Sequence, residues 1–174
     1  MKLRKSVIFI ILLFAVGIAG CNEKPPSLHI STSPETAAGG EFRNVYKVID
    51  GDTFWMKDRD GRIEKIRLIG IDAPEAHKSK HKDVQRFGRE SKEFLKQFLK
   101  SRKVALEYDV QKTDQYGRTL AYVYLEDGTF LNDYLIRYGY ARVATFPPNV
   151  KYQKQLLASQ KHARRQSMGM WKDR

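Results

Sequence analysis

Between Phe42 and Ile69 apolar and polar positions alternate with the two-residue period of extended chain. Val45, Lys47 and Ile49 against Tyr46, Val48 and Asp50 predict a first strand, and Gly51-Asp52 a bend. Thr53–Met56 predicts a second strand turned by Asp58-Arg59-Asp60-Gly61, and Ile63–Ile69 a third. After Asp83 the period lengthens. Phe87, Phe94, Leu95, Phe98 and Leu99 then fall on one face of a helix, with Gly88 weakening only its start. Val104–Tyr108 and Thr119–Tyr124 predict two more strands. Phe130–Tyr138 predicts a short helix closed by Gly139, and Tyr152 to about Met168 a terminal helix stopped by Gly169. Three strands, a helix, two strands and further helices predict an α+β protein, mainly a five-stranded, partly open barrel of the OB type with about three helices. An α+β sandwich of similar content is the alternative. The chain holds no internal repeat.

The first forty residues follow neither period. Lys2, Arg4 and Lys5 precede the apolar run Ser6–Gly20, which is short of the roughly 20 residues a spanning helix needs and reads as a signal peptide over residues 1–20. Its ending, Ile18-Ala19-Gly20-Cys21, resembles a bacterial lipobox. That resemblance implies cleavage before Cys21, lipid on its thiol, and an exported protein held at the outer side of the cell membrane. An ordinary cleaved signal or an uncleaved anchor are the plainer alternatives. Residues 21–40, with Pro25-Pro26, Ser33-Pro34 and Gly39-Gly40, read as a flexible tether whose cleavage would release the protein, and the folded domain is expected over 41–174. Cys21 is the only cysteine, so the domain has no disulfide and depends on packing and any bound ion.

Charge narrows the partners. The chain carries 32 Lys and Arg against 20 Asp and Glu, a net +12. Three of those basic residues lie in the signal segment, which has no acidic residue, so about +9 remains. An exported protein of this charge suits polyanions: nucleic acid, anionic lipid or anionic wall polymer.

The candidate chemistry sits where the predicted strands end. Asp52 follows Gly51, where the chain can turn tightly and expose a carboxylate; Asp72 follows the apolar run Leu68–Ile71. Pro74 biases Ala73 towards extended geometry, which could aim the Ala73 carbonyl at the same point. Two carboxylates, one backbone oxygen and water suit a hard cation such as calcium. Taken singly, Asp50, Asp52 and Asp72 are also ordinary turn formers beside Gly and Pro. Arg67 lies within an apolar run, where an unpaired guanidinium is costly, so it requires either a structural carboxylate or a substrate phosphate. Arg118 follows the turn Thr113–Gly117, and paired N–H donors let arginine grip phosphate oxygens. Glu75, just past Pro74, could take a proton from water or orient it; an exposed loop glutamate is the plainer reading.

Taken together, these stretches resemble the staphylococcal nuclease (thermonuclease) family. The resemblance rests on Val48–Thr53, Ile66–Glu75, Thr113–Tyr122, Leu131-Asn132 and Gly139–Val143, and runs on to Trp171. It implies a calcium-dependent endonuclease cutting DNA and RNA at the 5′-oxygen side to leave 3′-phosphate ends. By the same resemblance Asp52, Asp72 and the Ala73 carbonyl would bind calcium, with Asp50 behind them. Arg67 and Arg118 would hold the scissile phosphate, Glu75 would act on the attacking water, and Tyr116 would hydrogen-bond a substrate phosphate. A monomer acting on single-stranded or frayed substrate is expected.

The chain departs from the family pattern in places. Ala73 stands where Thr is frequent, a change that a backbone ligand survives. Thr145-Phe146-Pro147-Pro148 replaces the nucleotide-contacting tyrosines, leaving Phe146 to stack on a base, and Gln115 replaces a frequent lysine. Lys78 and Lys80, in a loop with Lys82, could follow a phosphate backbone electrostatically. His77 and His81 lack the partners of a zinc site, and Lys151, Lys154, Lys161, Arg164 and Arg165 read as a solvated face of the terminal helix. The rival to catalysis is a non-catalytic nucleic-acid-binding OB module on the envelope; a wall-polymer binder is the second rival.

Overall fold

The computed structural model describes residues 41–76 and 85–172. Cys21, the tether, Lys78 and Lys80 lie outside the described residues. Five strands make a closed barrel: β1 (Arg43–Asp50), β2 (Thr53–Lys57), β3 (Ile63–Leu68), β5 (Lys103–Glu107) and β6 (Thr119–Leu125). Their order around the barrel is β1-β2-β3-β6-β5. All neighbours are antiparallel except β3 and β6, which run parallel. The partly open barrel expected from the sequence is closed by a short seam, Arg43 opposite Val104 and Asn44 opposite Lys103.

Alternation decides which side chains fill the barrel. Phe54, Met56, Ile66 and Leu68 point inward and are almost wholly buried, with Val104, Leu106, Ala121 and Val123 facing them. Helix α1 (Gly88–Phe98) adds Leu95 from its last turns, with Leu99 just beyond. Helix α2 (Leu131–Arg137) adds Leu131, Leu135 and Ile136, and α3 (Gln153–Arg165) adds Leu156. Asn132 ties α2 to the barrel: its Oδ1 accepts the Val123 N–H at 3.0 Å and its Nδ2 donates to the Ile69 carbonyl at 2.8 Å.

Two element ends differ from the pattern in the sequence. The third strand stops at Leu68 rather than Ile69, and Asp72 belongs to a separate two-residue strand, β4 (Ile71–Asp72). The break is Gly70, whose φ of +78° turns the chain, and the turn is closed by Ala144 donating to the Gly70 carbonyl at 3.0 Å. β4 pairs with β7 (Arg142–Val143), placing Asp72 opposite Arg142. The terminal helix begins at Gln153 and ends at Arg165, short of Met168. There Ser167 turns left-handed and Met168 N–H returns to the Ala163 carbonyl at 2.9 Å. Lys151 therefore precedes the helix, and instead of facing only solvent it forms an ion pair with Glu107 at 2.5 Å.

Candidate active site

The β1–β2 bend, the end of β3 and strand β4 meet at one end of the barrel. Asp52 is buried, and each of its oxygens is engaged: Thr53 Oγ1 donates to Oδ1 at 3.0 Å, and the Ala73 N–H donates to Oδ2 at 2.8 Å. The second bond fixes Ala73, and with it Asp72, against the bend. Arg67, directly opposite Thr53 on β3, reaches across this junction. Its Nη1 forms an ion pair with Asp52, and its Nη2 lies 3.4 Å from Asp72 Oδ1. One guanidinium thus bridges Asp52 and Asp72, which stand 20 residues apart in the chain and are brought to one point by the fold.

Arg142 takes the other side of Asp72, donating from Nε at 3.0 Å and from Nη2 at 2.6 Å to Oδ2. Asp50 lies behind the bend, accepting the Gly51 N–H at 3.0 Å and the Ala76 N–H at 3.3 Å. Burial pushes the Asp50 carboxyl above its ordinary value, and a side-chain hydrogen bond with Glu75 pushes it further, against the lowering effect of the Gly51 N–H. Asp50 and Glu75 are thus neighbours. Glu75 is placed by a close approach of backbone: a Cβ on Gly88, at the start of α1, would collide with the Glu75 carbonyl.

Arg118 arrives from the other direction. The loop before β6 is organised by Asp114, whose Oδ1 accepts the N–H groups of Tyr116 at 2.9 Å and Arg118 at 3.0 Å. Its Oδ2 accepts Arg118 Nε at 2.7 Å, and the guanidinium lies 5.4 Å from the Tyr116 ring centroid. Burial lowers the pKa of Arg67, and the nearby positive charge of Arg118 lowers it further, while Asp72 and Glu75 oppose the shift. The two guanidinium groups therefore repel one another across a space that an anion would stabilise.

That space opens into a pocket of about 480 Å³ lined by Arg67, Arg118, Tyr116, Leu120, Phe146 and Asn149, among others. Tyr116 and Phe146 are largely exposed at it. Asn149 holds the two loops together, accepting the Gln111 N–H and donating to the Gln111 carbonyl, each at 2.8 Å.

Of the residues singled out in the sequence, Asp52, Arg67, Asp72 and Ala73 meet directly, Asp50 and Glu75 adjoin them, and Arg118, Tyr116 and Phe146 share the pocket with Arg67. Arg142, Asp114 and Asn149 are additions. Asp114 carries a local signal, an Asp opening a Gly-containing turn. Arg142 carries none, because its place depends on the pairing of β4 with β7.

The residues fit a hard cation. Asp52 and Asp72 already share one positively charged group, so their oxygens face a common point, and oxygen donors suit calcium. Among the described residues no group of three or more His, Cys, Asp or Glu side chains gathers to hold a metal. A cation here would therefore depend on backbone oxygen and water as well.

The closed OB-type barrel gathers carboxylates and guanidinium groups beside one open pocket, an arrangement suited to binding an anion. The chain belongs to the family described as Staphylococcal nuclease homologue, whose sequence profile matches residues 65–173. The thermonuclease of Staphylococcus hyicus is 42% identical over 134 residues, covering 77% of this chain and 78% of that protein. The thermonuclease of Staphylococcus intermedius is 43% identical over 136 residues, covering 78% and 79%. Endonuclease YncB of Bacillus subtilis is 35% identical over 127 residues, covering 72% of this chain and 59% of its own length.

Proposed function

We propose that this chain is a calcium-dependent nuclease that hydrolyses DNA and RNA at the 5′-oxygen side of the phosphate, leaving 3′-phosphate ends. The observation that carries the reading is the convergence of Arg67 and Arg118 with Asp52 and Asp72 beside one pocket. The family and the similarity to two thermonucleases support it.

Asp52, Asp72 and the Ala73 carbonyl would hold calcium, which when bound supplies Lewis-acid stabilisation of a phosphate oxygen. The chain's own groups divide the remaining work. Arg67 and Arg118 bind the non-bridging oxygens from two sides and oppose the charge that grows on them in the transition state. Glu75, beside Asp50, orients water or takes its proton. Asp114 keeps Arg118 aimed through its three hydrogen bonds, and Tyr116 and Phe146 flank the bases or phosphates next to the cut. Digestion of single-stranded DNA in calcium and in chelator tests the chemistry: cutting confined to the calcium tube supports it, and uncut DNA in both tubes leaves only binding.

The site of action is part of the same proposal. The basic start, the apolar run and the Ile18–Cys21 ending support export and a lipid anchor on Cys21. Membrane fractionation of bacteria expressing the full chain tests it: the protein should sediment with membranes, and Cys21→Ala should abolish lipid labelling. Unlabelled wild-type chain would refute the anchor.

A further inference from the structure

Beyond the pocket, the outer face of β1–β2–β3 is charged in a way that the site does not use. Because Phe54, Met56, Ile66 and Leu68 fill the barrel, the alternate residues Trp55, Lys57, Ile63, Lys65 and Arg67 face outward. Register sets two of them, with Lys47, into one rung: Lys47 stands opposite Trp55, and Trp55 opposite Lys65. Both ammonium groups lie over the indole, at 5.5 and 5.8 Å from its centroid. Next to the rung, Lys57 lies 5.3 Å from the ring of Tyr46, which is 58% exposed. Neither Lys47, Lys57 nor Lys65 has a carboxylate partner among the described residues. The adjoining groove between β1 and α1 is lined by Lys47, Lys92, Lys96 and Lys100, with Glu93 paired to Lys96 at 3.3 Å.

We infer that this face is a second contact surface for the substrate, holding single-stranded polynucleotide beyond the phosphate gripped at Arg67. The inference rests on the nuclease reading and extends it. Two features of the face select a nucleic acid. The face is continuous with the site, since Lys65 and Arg67 lie on the same side of β3, about 6.6–6.8 Å apart along the strand. Its chemistry is also complementary to one: cations without carboxylate partners meet phosphates, and aromatic rings between them meet bases. The indole holds both ammonium groups over its ring, and the exposed ring of Tyr46 adjoins them. An anionic membrane surface would use the charge but would gain nothing from the adjoining Arg67.

The test uses the full chain and a fluorescent 24-residue single strand, with binding read by anisotropy in chelator, where no cutting is expected. Lys47→Gln/Lys65→Gln should weaken binding about five- to tenfold and reduce the salt slope by about 1.4, two phosphates at about 0.7 each. Trp55→Leu should weaken binding by about fivefold or more. In calcium both variants should cut a dinucleotide at the wild-type rate, with a raised KM confined to the long strand. Thermal melting confirms that each variant is folded, and the lysine pair, being exposed, serves if Trp55→Leu is not. Unchanged affinity and salt slope for the long strand would overturn the inference. So would loss of binding to anionic vesicles with DNA binding intact. Because the binding arm needs no cleavage, failure to cut in calcium counts against the nuclease reading alone.

Discussion

Arg67 occupies the position on which the account turns, since its single guanidinium serves two carboxylates and faces a second arginine. If it and Arg118 stabilise charge on the transferring phosphate, Arg67→Ala and Arg118→Ala should each lower turnover by about 10²–10³ with the fold retained. Steady-state kinetics on single-stranded DNA would show this, and near-normal turnover would remove the clamp. Arg67→Ala also leaves Asp52 and Asp72 without their shared cation. Calcium should therefore raise the melting temperature of this variant more than that of the wild type, because a ligand stabilises the folded state more the more tightly it binds. A calcium shift no larger than the wild type's would contradict a common cation point. Arg67 is legible in the sequence because a guanidinium inside an apolar run demands an anion. Arg142 is not, because nothing within its own segment announces that Asp72 will lie opposite.

At the scale of elements, the site depends on the junctions that fix strand ends. Asn132 is one of them, wholly buried and bonded to Val123 on β6 and to Ile69 beyond β3. Asn132→Leu would leave a buried N–H and a buried carbonyl unpaired and should cost about 2 kcal/mol or more by urea denaturation. The helix pair offers a pH test. Asp133 on α2 accepts the Ser159 hydroxyl of α3 at 2.6 Å. Burial raises its carboxyl above the ordinary value, against the lowering effects of Ser159 and Arg137. The folded chain thus holds this proton to higher pH than the unfolded chain. Its contribution favours folding below the unfolded pKa of about 3.9 and is lost as pH rises through the folded value. Asp133→Asn should therefore raise the melting temperature at neutral pH, with the difference closing below about pH 4; a constant offset at all pH values would contradict this. The strand and helix periods are legible because burial follows them, as at Phe54–Met56 and Leu95–Leu99. The break at Gly70 is less so: Leu68-Ile69-Gly70-Ile71 reads as one apolar run, and only the left-handed turn separates β3 from β4.

For the whole molecule, net charge and topology act together. The +12 of the full chain draws polyanions from a distance without selecting a sequence, while the closed barrel brings the ends of β1, β3 and β4 to one place. Substrate binding should accordingly weaken steeply with added salt, and a flat dependence would contradict the electrostatic part of the account. A five-stranded barrel is legible from the succession of strands and helices, whereas the closing seam between β1 and β5 is only two residue pairs and leaves no mark in the local pattern. The most direct test of the central claim is digestion of single-stranded DNA by the full chain in calcium and in chelator, with the ends of the products analysed. Cutting in calcium alone, into fragments bearing 3′-phosphates, is expected of a calcium-dependent nuclease; DNA left whole in both tubes, or cut equally in chelator, would contradict that activity.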